Sequence, residues 1–183
     1  MEQLLKEAKE LAEGGVKELI LVAQETTVYG QDIYGEKSLH RLLRELCKID
    51  GIQWIRLLYC YPEEIDANLI QVMKEEPKIC HYLDLPIQHA SDTILKKMGR
   101  RTSKAQLVDT IRTLREEIPD ITLRTTLITG FPGETEEQHQ ELVAFVDEME
   151  FDRLGVFTYS PEENTPAAEM PDQIPEEVKE DRQ

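Results

Sequence analysis

Apolar runs of strand length recur along this chain with a helical stretch between each pair, and that alternation restricts the fold more than any single motif. Lys17–Ala23, Trp54–Cys60, Ile79–Leu85, Ile121–Ile128 and Arg153–Thr158 read as strands. Between and before them, Glu2–Glu13, Ser38–Ile49, Ile65–Lys74, Asp92–Met98, Ser103–Ile118 and Thr135–Met149 carry apolar residues at helical spacing. Gly14-Gly15 closes the first helix, Ser38 is placed to start the second, and Gln24–Lys37 reads as a long polar loop. A strand–helix–strand rhythm implies right-handed crossovers and therefore a parallel sheet, either open or curled into a barrel. Strands this apolar are expected to be covered on both faces.

Composition removes several classes of function. At 183 residues the chain is long enough for one buried core, and no apolar run approaches the roughly 20 residues that cross a bilayer. Its charged opening, Glu2-Gln3-Leu4-Leu5-Lys6-Glu7, has no secretory character, which makes the cytoplasm the expected location and a membrane partner unexpected. The net charge of −16 repels phosphate backbones, so nucleic acid is an unlikely partner for this domain. It favours a basic protein or serves solubility alone. Cys47, Cys60 and Cys80 match no metal-binding spacing and are read as free, buried thiols, so no metal ligands are assigned.

In a parallel sheet the segments that follow each strand gather on one edge, where α/β proteins bind ligands. Here they are Gln24-Glu25-Thr26-Thr27, Tyr59–Glu64, Pro86–Asp92, Thr129–Glu134 and Tyr159-Ser160-Pro161. The fourth is the most informative. Leu123–Thr129 runs into Gly130-Phe131-Pro132-Gly133, whose glycines allow a ligand to approach the backbone, and Thr135 with Gln138 forms a capping box for the next helix. Within that strand Arg124, Thr126, Ile128 and Gly130 share one face, opposite Leu123, Thr125 and Leu127. An arginine there requires an anion, either a ligand carboxylate or an Asp or Glu of the protein. Gln88, His89 and Ser91 offer donors and acceptors; His89 is a candidate general base, and Ser91 or Asp92 a candidate helix cap.

Taken together, these loops resemble the radical S-adenosylmethionine methylthiotransferases. The resemblance lies in Gln24-Glu25-Thr26-Thr27 with Tyr29-Gly30, Tyr61-Pro62-Glu63-Glu64-Ile65, Leu85–Ser91, Arg124-Thr125-Thr126 with Gly130–Thr135, and Tyr159–Glu162 with Thr165-Pro166-Ala167. It implies an incomplete TIM-like barrel holding S-adenosylmethionine across the strand ends, with radical chemistry dependent on 4Fe-4S clusters. Carried over residue by residue, it implies Gln24 and Glu25 at the methionyl end, Gln88 and Ser91 near the ribose or methionine, and Arg124 at the methionine carboxylate. Ile128, Gly130 and the backbone from Phe157 to Tyr159 would flank adenine. The wording of the second and third loops is similar to the branch that methylthiolates the β-carbon of an aspartate in a small-subunit ribosomal protein, a basic substrate that suits an acidic enzyme. The branch that modifies an adenosine of transfer RNA, and a non-catalytic α/β binding module, are the alternatives.

Two departures accompany the resemblance. The family's strand-five pattern, Gly-x-Ile-x-Gly-x-x-Glu, falls on Thr126, Ile128, Gly130 and Gly133, so Glu134 stands one residue late. The CxxxCxxC triplet that would hold the cluster is absent. The expectation is accordingly that residues 1–160 form a partial barrel without its cluster-binding first strand, inactive alone, and that 161–183 form an acidic, proline-rich, solvated tail or linker.

Overall fold

The computed structural model describes residues 1–183. In chain order its elements are α1 (Glu2–Glu13), β1 (Glu18–Leu21), α2 (Gln31–Tyr34), α3 (Leu39–Cys47), β2 (Trp54–Leu57), α4 (Ala67–Glu75), β3 (Ile79–Asp84), α5 (Asp92–Lys97), α6 (Lys104–Glu117), β4 (Thr122–Thr129), α7 (Glu136–Met149), β5 (Arg153–Thr158) and α8 (Glu176–Arg182). Short 3-10 turns lie at Pro62–Glu64 and Pro166–Glu169. The sheet is wholly parallel in the order β1-β2-β3-β4-β5 and does not close. An open parallel sheet in sequence order is consistent with the incomplete barrel that the alternation implies.

The anticipated capping boxes are both present. Ser103 with Gln106 opens α6, and Thr135 with Gln138 opens α7, each pair exchanging side-chain and backbone bonds. Asp66 caps α4 by accepting from the Leu69 N–H. Ser38 stands at the N-cap of α3, but its hydroxyl donates to the Glu36 carbonyl instead of capping the helix. The polar loop after β1 contains one helical turn, α2, set between left-handed glycines Gly30 and Gly35.

The expectation that both sheet faces are covered is corrected. Burial along β4 alternates residue by residue, with Leu123, Thr125, Leu127 and Thr129 buried and Arg124, Thr126 and Ile128 only half-buried. Leu19, Ile55, Leu57, Leu83, Leu123 and Leu127 join the apolar stripes of the helices in one core of 31 buried residues. The opposite face is left open and carries charged pairs beside exposed apolar side chains such as Ile20, Trp54 and Phe157. Glu18 pairs with Arg56 at 2.6 Å, Arg56 lies over the Tyr82 ring at 4.8 Å, and Asp84 pairs with Arg124. Helices therefore cover one face, and the other is left to line an interior.

Residues 161–183 also differ from the solvated stretch their composition suggests. Thr165 caps the second 3-10 turn, the Gly133 N–H donates to the Asp172 carbonyl at 2.8 Å, and α8 docks on the end of β4. Charge-rich sequence packs here because its cations find buried acceptors, described next.

Candidate functional site

Near the C-terminal edge of the sheet, the segments after β1, β2 and β3 meet residues of β4 and β5 around a cleft of about 480 Å³. Gln24, Gln88, Arg124 and Phe157, all anticipated from sequence, line it together. Gln88 is held in an unusual way. Its φ of 72° lies in the left-handed region, which a residue with a Cβ seldom adopts. Two backbone bonds to β4 enforce it, from Gln88 N–H to the Thr126 carbonyl at 2.9 Å and from Ile128 N–H to the Gln88 carbonyl at 2.8 Å. Tyr59, with φ 55°, borders the same cleft and donates its N–H to Asp84 Oδ2 at 3.1 Å. Left-handed backbone at non-glycine residues collects where side-chain placement matters more than local ease.

Arg124 is partnered from within the protein. Its Nη1 donates to Asp84 Oδ1 at 2.5 Å, and Asp84 is nearly fully buried at the end of β3. Of the two anions that a strand arginine could require, the structure supplies the protein's own. Arg124 and Asp84 thus form a neutral wall of the cleft, close to Thr126 and Gly155.

Glu25 borders an adjoining cleft of similar size, separated from the first by Tyr61 and Arg100, which line both. Its carboxylate accepts the Thr27 N–H at 2.9 Å, the Thr27 hydroxyl and the Tyr61 N–H at 3.2 Å. Burial raises its pKa against those bonds, and the neighbouring Glu64 adds to the rise. Glu25 therefore ties the loop after β1 to the loop after β2.

Ser91, Ile128, Gly130 and Tyr159 do not line the cleft. Ser91 is buried at the start of α5, its N–H donating to His89 Nδ1 at 2.9 Å, and its hydroxyl caps nothing. Ile128 packs with Ile94, Phe131 and Tyr159 in a small apolar cluster. Gly130 (φ 72°) is approached by protein: a Cβ there would stand 2.4 Å from Lys179 Cγ of α8. Gly133 is likewise covered by the Lys97 ammonium. The glycine turn, expected to admit a ligand to its backbone, instead admits side chains from α5 and α8.

His89 and Glu134 gain clear structural roles. His89 Nδ1 accepts from Ser91, which leaves the Nε2 proton to face Glu134 Oε2 at 3.2 Å. With both ring nitrogens engaged and no exposure, His89 is a brace and the general-base expectation is set aside. Glu134 also accepts the Gly130 N–H at 3.1 Å and Arg182 Nη1 at 2.9 Å. Burial alone would raise its pKa; the bonds from His89 and Gly130 and the charge of Arg182 hold it below the usual range. A carboxylate one residue late thus closes its own turn.

The cysteines do not form a metal centre. Cys47, Cys60 and Cys80 are free and lie on different elements, and no three His, Cys, Asp or Glu side chains are grouped to hold an ion. Burial pushes the Cys47 thiol up to about 11 and Cys60 higher still, the opposite of a thiolate ligand. The residues of this chain do not fit an iron–sulfur cluster. The cleft does fit a nucleoside-sized ligand, with two amides, an exposed phenylalanine, three hydroxyls and two guanidiniums around it.

Tyr59, Tyr61, Asp84 and Arg100 complete the cleft but were not singled out as site residues from the sequence. Asp84, a charge at the end of an apolar strand, is the same signal as Arg124 and could have been read as its partner. Arg100 follows the glycine that ends α5, a position that local pattern assigns only to a turn.

A parallel, open-sided barrel with a polar cleft at its strand ends defines a cofactor-binding α/β protein, and the chain belongs to the Radical SAM superfamily, whose sequence profile it matches over residues 1–146. Among curated relatives it is 69% identical, over all 183 residues, to the ribosomal protein uS12 methylthiotransferase RimO of Lachnoclostridium phytofermentans. It is 59% identical over 182 residues to the protein of the same name from Geobacter sulfurreducens. The chain spans about two fifths of the length of these relatives, 42% and 41%. Among solved structures it resembles the radical S-adenosylmethionine methyltransferase TsrM of Kitasatospora setae, described with cobalamin and a [4Fe-4S] cluster bound. The TM-score is 0.64 at 20% identity, covering 84% of this chain and 30% of that one. Streptococcus suis SuiB bound to S-adenosylmethionine aligns with TM-score 0.60 at 16% identity, over 95% of this chain and 36% of that one. These two likenesses concern the fold.

Proposed function

We propose that this chain supplies the S-adenosylmethionine-binding barrel of a cytoplasmic methylthiotransferase that modifies an aspartate β-carbon of ribosomal protein uS12. The observation that carries the reading is the cleft in which Gln24 and Gln88, from the loops after β1 and β3, meet Arg124 of β4 and Phe157 of β5. It lies in a chain 69% identical to a uS12 methylthiotransferase across its whole length. In this reading residues 1–160 are the barrel portion and 161–183 the segment that follows it.

The cofactor, bound with a 4Fe-4S cluster whose ligands this chain does not hold, supplies the radical and methyl chemistry. The chain's own residues bind and orient. Gln24 and Gln88 present amides to the sugar and methionyl groups, and Phe157, more than half exposed beside Gly155, offers a ring face to adenine. The Asp84–Arg124 pair fixes the floor without adding net charge. A basic ribosomal protein is attracted by the −16 charge of the chain, which repels transfer RNA.

The complete enzyme carrying this sequence, reconstituted with its cluster, is expected to methylthiolate uS12 and leave transfer RNA unmodified when products are read by mass spectrometry. Modification of transfer RNA alone would overturn the proposal.

A further inference from the structure

Three side chains in series join α8 to the one strained residue in the loop after β3. Gln88 is the centre of a three-residue turn, across which the His89 N–H donates to the Ile87 carbonyl at 3.0 Å. With a φ of 72° at Gln88, this is the left-handed form of the γ-turn. A residue with a Cβ holds that form only where its surroundings compel it. On one side β4 does so, through the bonds of Gln88 to Thr126 and Ile128. On the other stands His89, fully buried, with both ring nitrogens fastened. Its Nδ1 accepts the Ser91 N–H at 2.9 Å, and its Nε2 faces Glu134 Oε2 at 3.2 Å.

Glu134 can hold His89 only if it is itself held. Oε2 takes the His89 ring and the Gly130 N–H, whereas Oε1 is bound by Arg182 Nη1 alone, at 2.9 Å. The Arg182 side chain is 9% exposed, and its Nη1 and Nη2 also reach the Glu134 carbonyl at 3.3 Å and Glu136 at 3.2 Å. Its Nε is buried without a partner. Docking of α8 does not require that penalty, because Lys179 and Gln183 already tie the helix to the Tyr159 and Val156 carbonyls. The arginine is placed for its carboxylate, and the charge-assisted pair orients both groups.

We propose that Arg182 is a positioning residue for the cleft. It holds Glu134, Glu134 holds His89, and His89 holds the turn that aims the Gln88 amide. In this way α8 sets a residue that it does not touch. The inference rests on the functional reading above, in which Gln88 contacts S-adenosylmethionine. It goes beyond that reading by giving α8 a part in cofactor binding. Linkage makes the effect reciprocal: cofactor held by a well-placed Gln88 tightens the docking of α8 in turn.

Calorimetry with S-adenosylmethionine on the complete, cluster-loaded enzyme tests this in a double-mutant cycle of Arg182→Gln and Gln88→Ala. Arg182→Gln is expected to weaken cofactor binding by roughly 5- to 10-fold. Arg182→Lys is expected to weaken it by a smaller but measurable factor, because an ammonium keeps the charge and lacks the fork. In the Gln88→Ala background, Arg182→Gln is expected to add no further loss, because the amide it positions is gone. In the wild type, saturating S-adenosylmethionine is expected to slow proteolytic cleavage within residues 161–175 by a factor similar to the Arg182→Gln loss, and in Gln88→Ala to leave it unchanged. Losses that multiply in the double variant would show a merely structural role and overturn the proposal. So would wild-type affinity in Arg182→Gln or in Gln88→Ala, or wild-type cleavage that the cofactor does not slow. If Arg182→Gln does not fold, Arg182→Lys carries the cycle, and wild-type affinity there overturns the proposal equally. Wild-type enzyme that does not bind S-adenosylmethionine overturns the functional reading itself, a result distinct from any effect at Arg182.

Discussion

Glu134 shows how one buried carboxylate organises three loops. It accepts from Gly130 in its own turn, from His89 in the loop after β3, and from Arg182 in α8, with its side chain fully enclosed. Removing one partner of a buried charged pair leaves the other uncompensated, so Glu134→Ala is expected to destabilise the fold by about 3–5 kcal/mol in urea unfolding. The same group predicts a pH signature. Its folded pKa is lowered from 4.5, so its stabilisation is complete above that value and is lost as pH falls through the lower, folded value. The stability gap between wild type and Glu134→Gln is therefore expected to be flat at neutral pH and to shrink progressively once the pH drops below 4.5. A gap unchanged in acid would mean that Glu134 is not an ionised partner in the native state. His81, by comparison, pairs at 2.6 Å with an exposed Asp120 at the far end of the sheet and bears on no loop of the cleft.

Among the elements, α8 is the one whose composition misleads. Its sequence, Glu-Glu-Val-Lys-Glu-Asp-Arg, reads as a solvated stretch, yet Lys179 is buried with its ammonium donating to the Tyr159 carbonyl at 2.9 Å and lying 5.4 Å from the Tyr159 ring centroid. Its stem fills the space above Gly130. Docking depends on that glycine twice, for a left-handed φ and for the absent Cβ. Lys179→Ala is expected to loosen α8 by roughly 1.5 kcal/mol, read as about a tenfold faster proteolytic cleavage within residues 161–175. Unfolding of the strands would be little changed. Cleavage at the wild-type rate would show that α8 is held by Arg182 and Gln183 without Lys179. The capping boxes of α6 and α7 lie at the opposite pole of legibility, since Ser103 with Gln106 and Thr135 with Gln138 are three residues apart and complete within a single turn.

Across the whole molecule the sheet has two free edges, and β1 is the vulnerable one. Ile20 and Val22 are each more than half exposed and line an apolar groove of about 300 Å³ between β1, α1 and α3. A strand with unpaired N–H and C=O groups and apolar neighbours recruits further strands. Sedimentation velocity of this 183-residue chain is expected to show concentration-dependent self-association that Ile20→Lys reduces; a monomer at all concentrations would contradict it. The local patterns of the chain determined its strands, most of its helices, the capping boxes of α6 and α7 and the parallel arrangement, because apolar period and capping chemistry act within a few residues. They also determined that Gln24 and Gln88 would gather on one edge, because parallel strands end together, while Arg124 and Phe157 came from the strand face and from the family resemblance. Only the tertiary structure decided who satisfies whom. Asp84 lies 40 residues from Arg124, and Glu134 lies 48 from Arg182. Whether a glycine admits a ligand or a lysine, and whether a strand arginine meets its anion inside the protein, depends on such distant partners, and no local period encodes them.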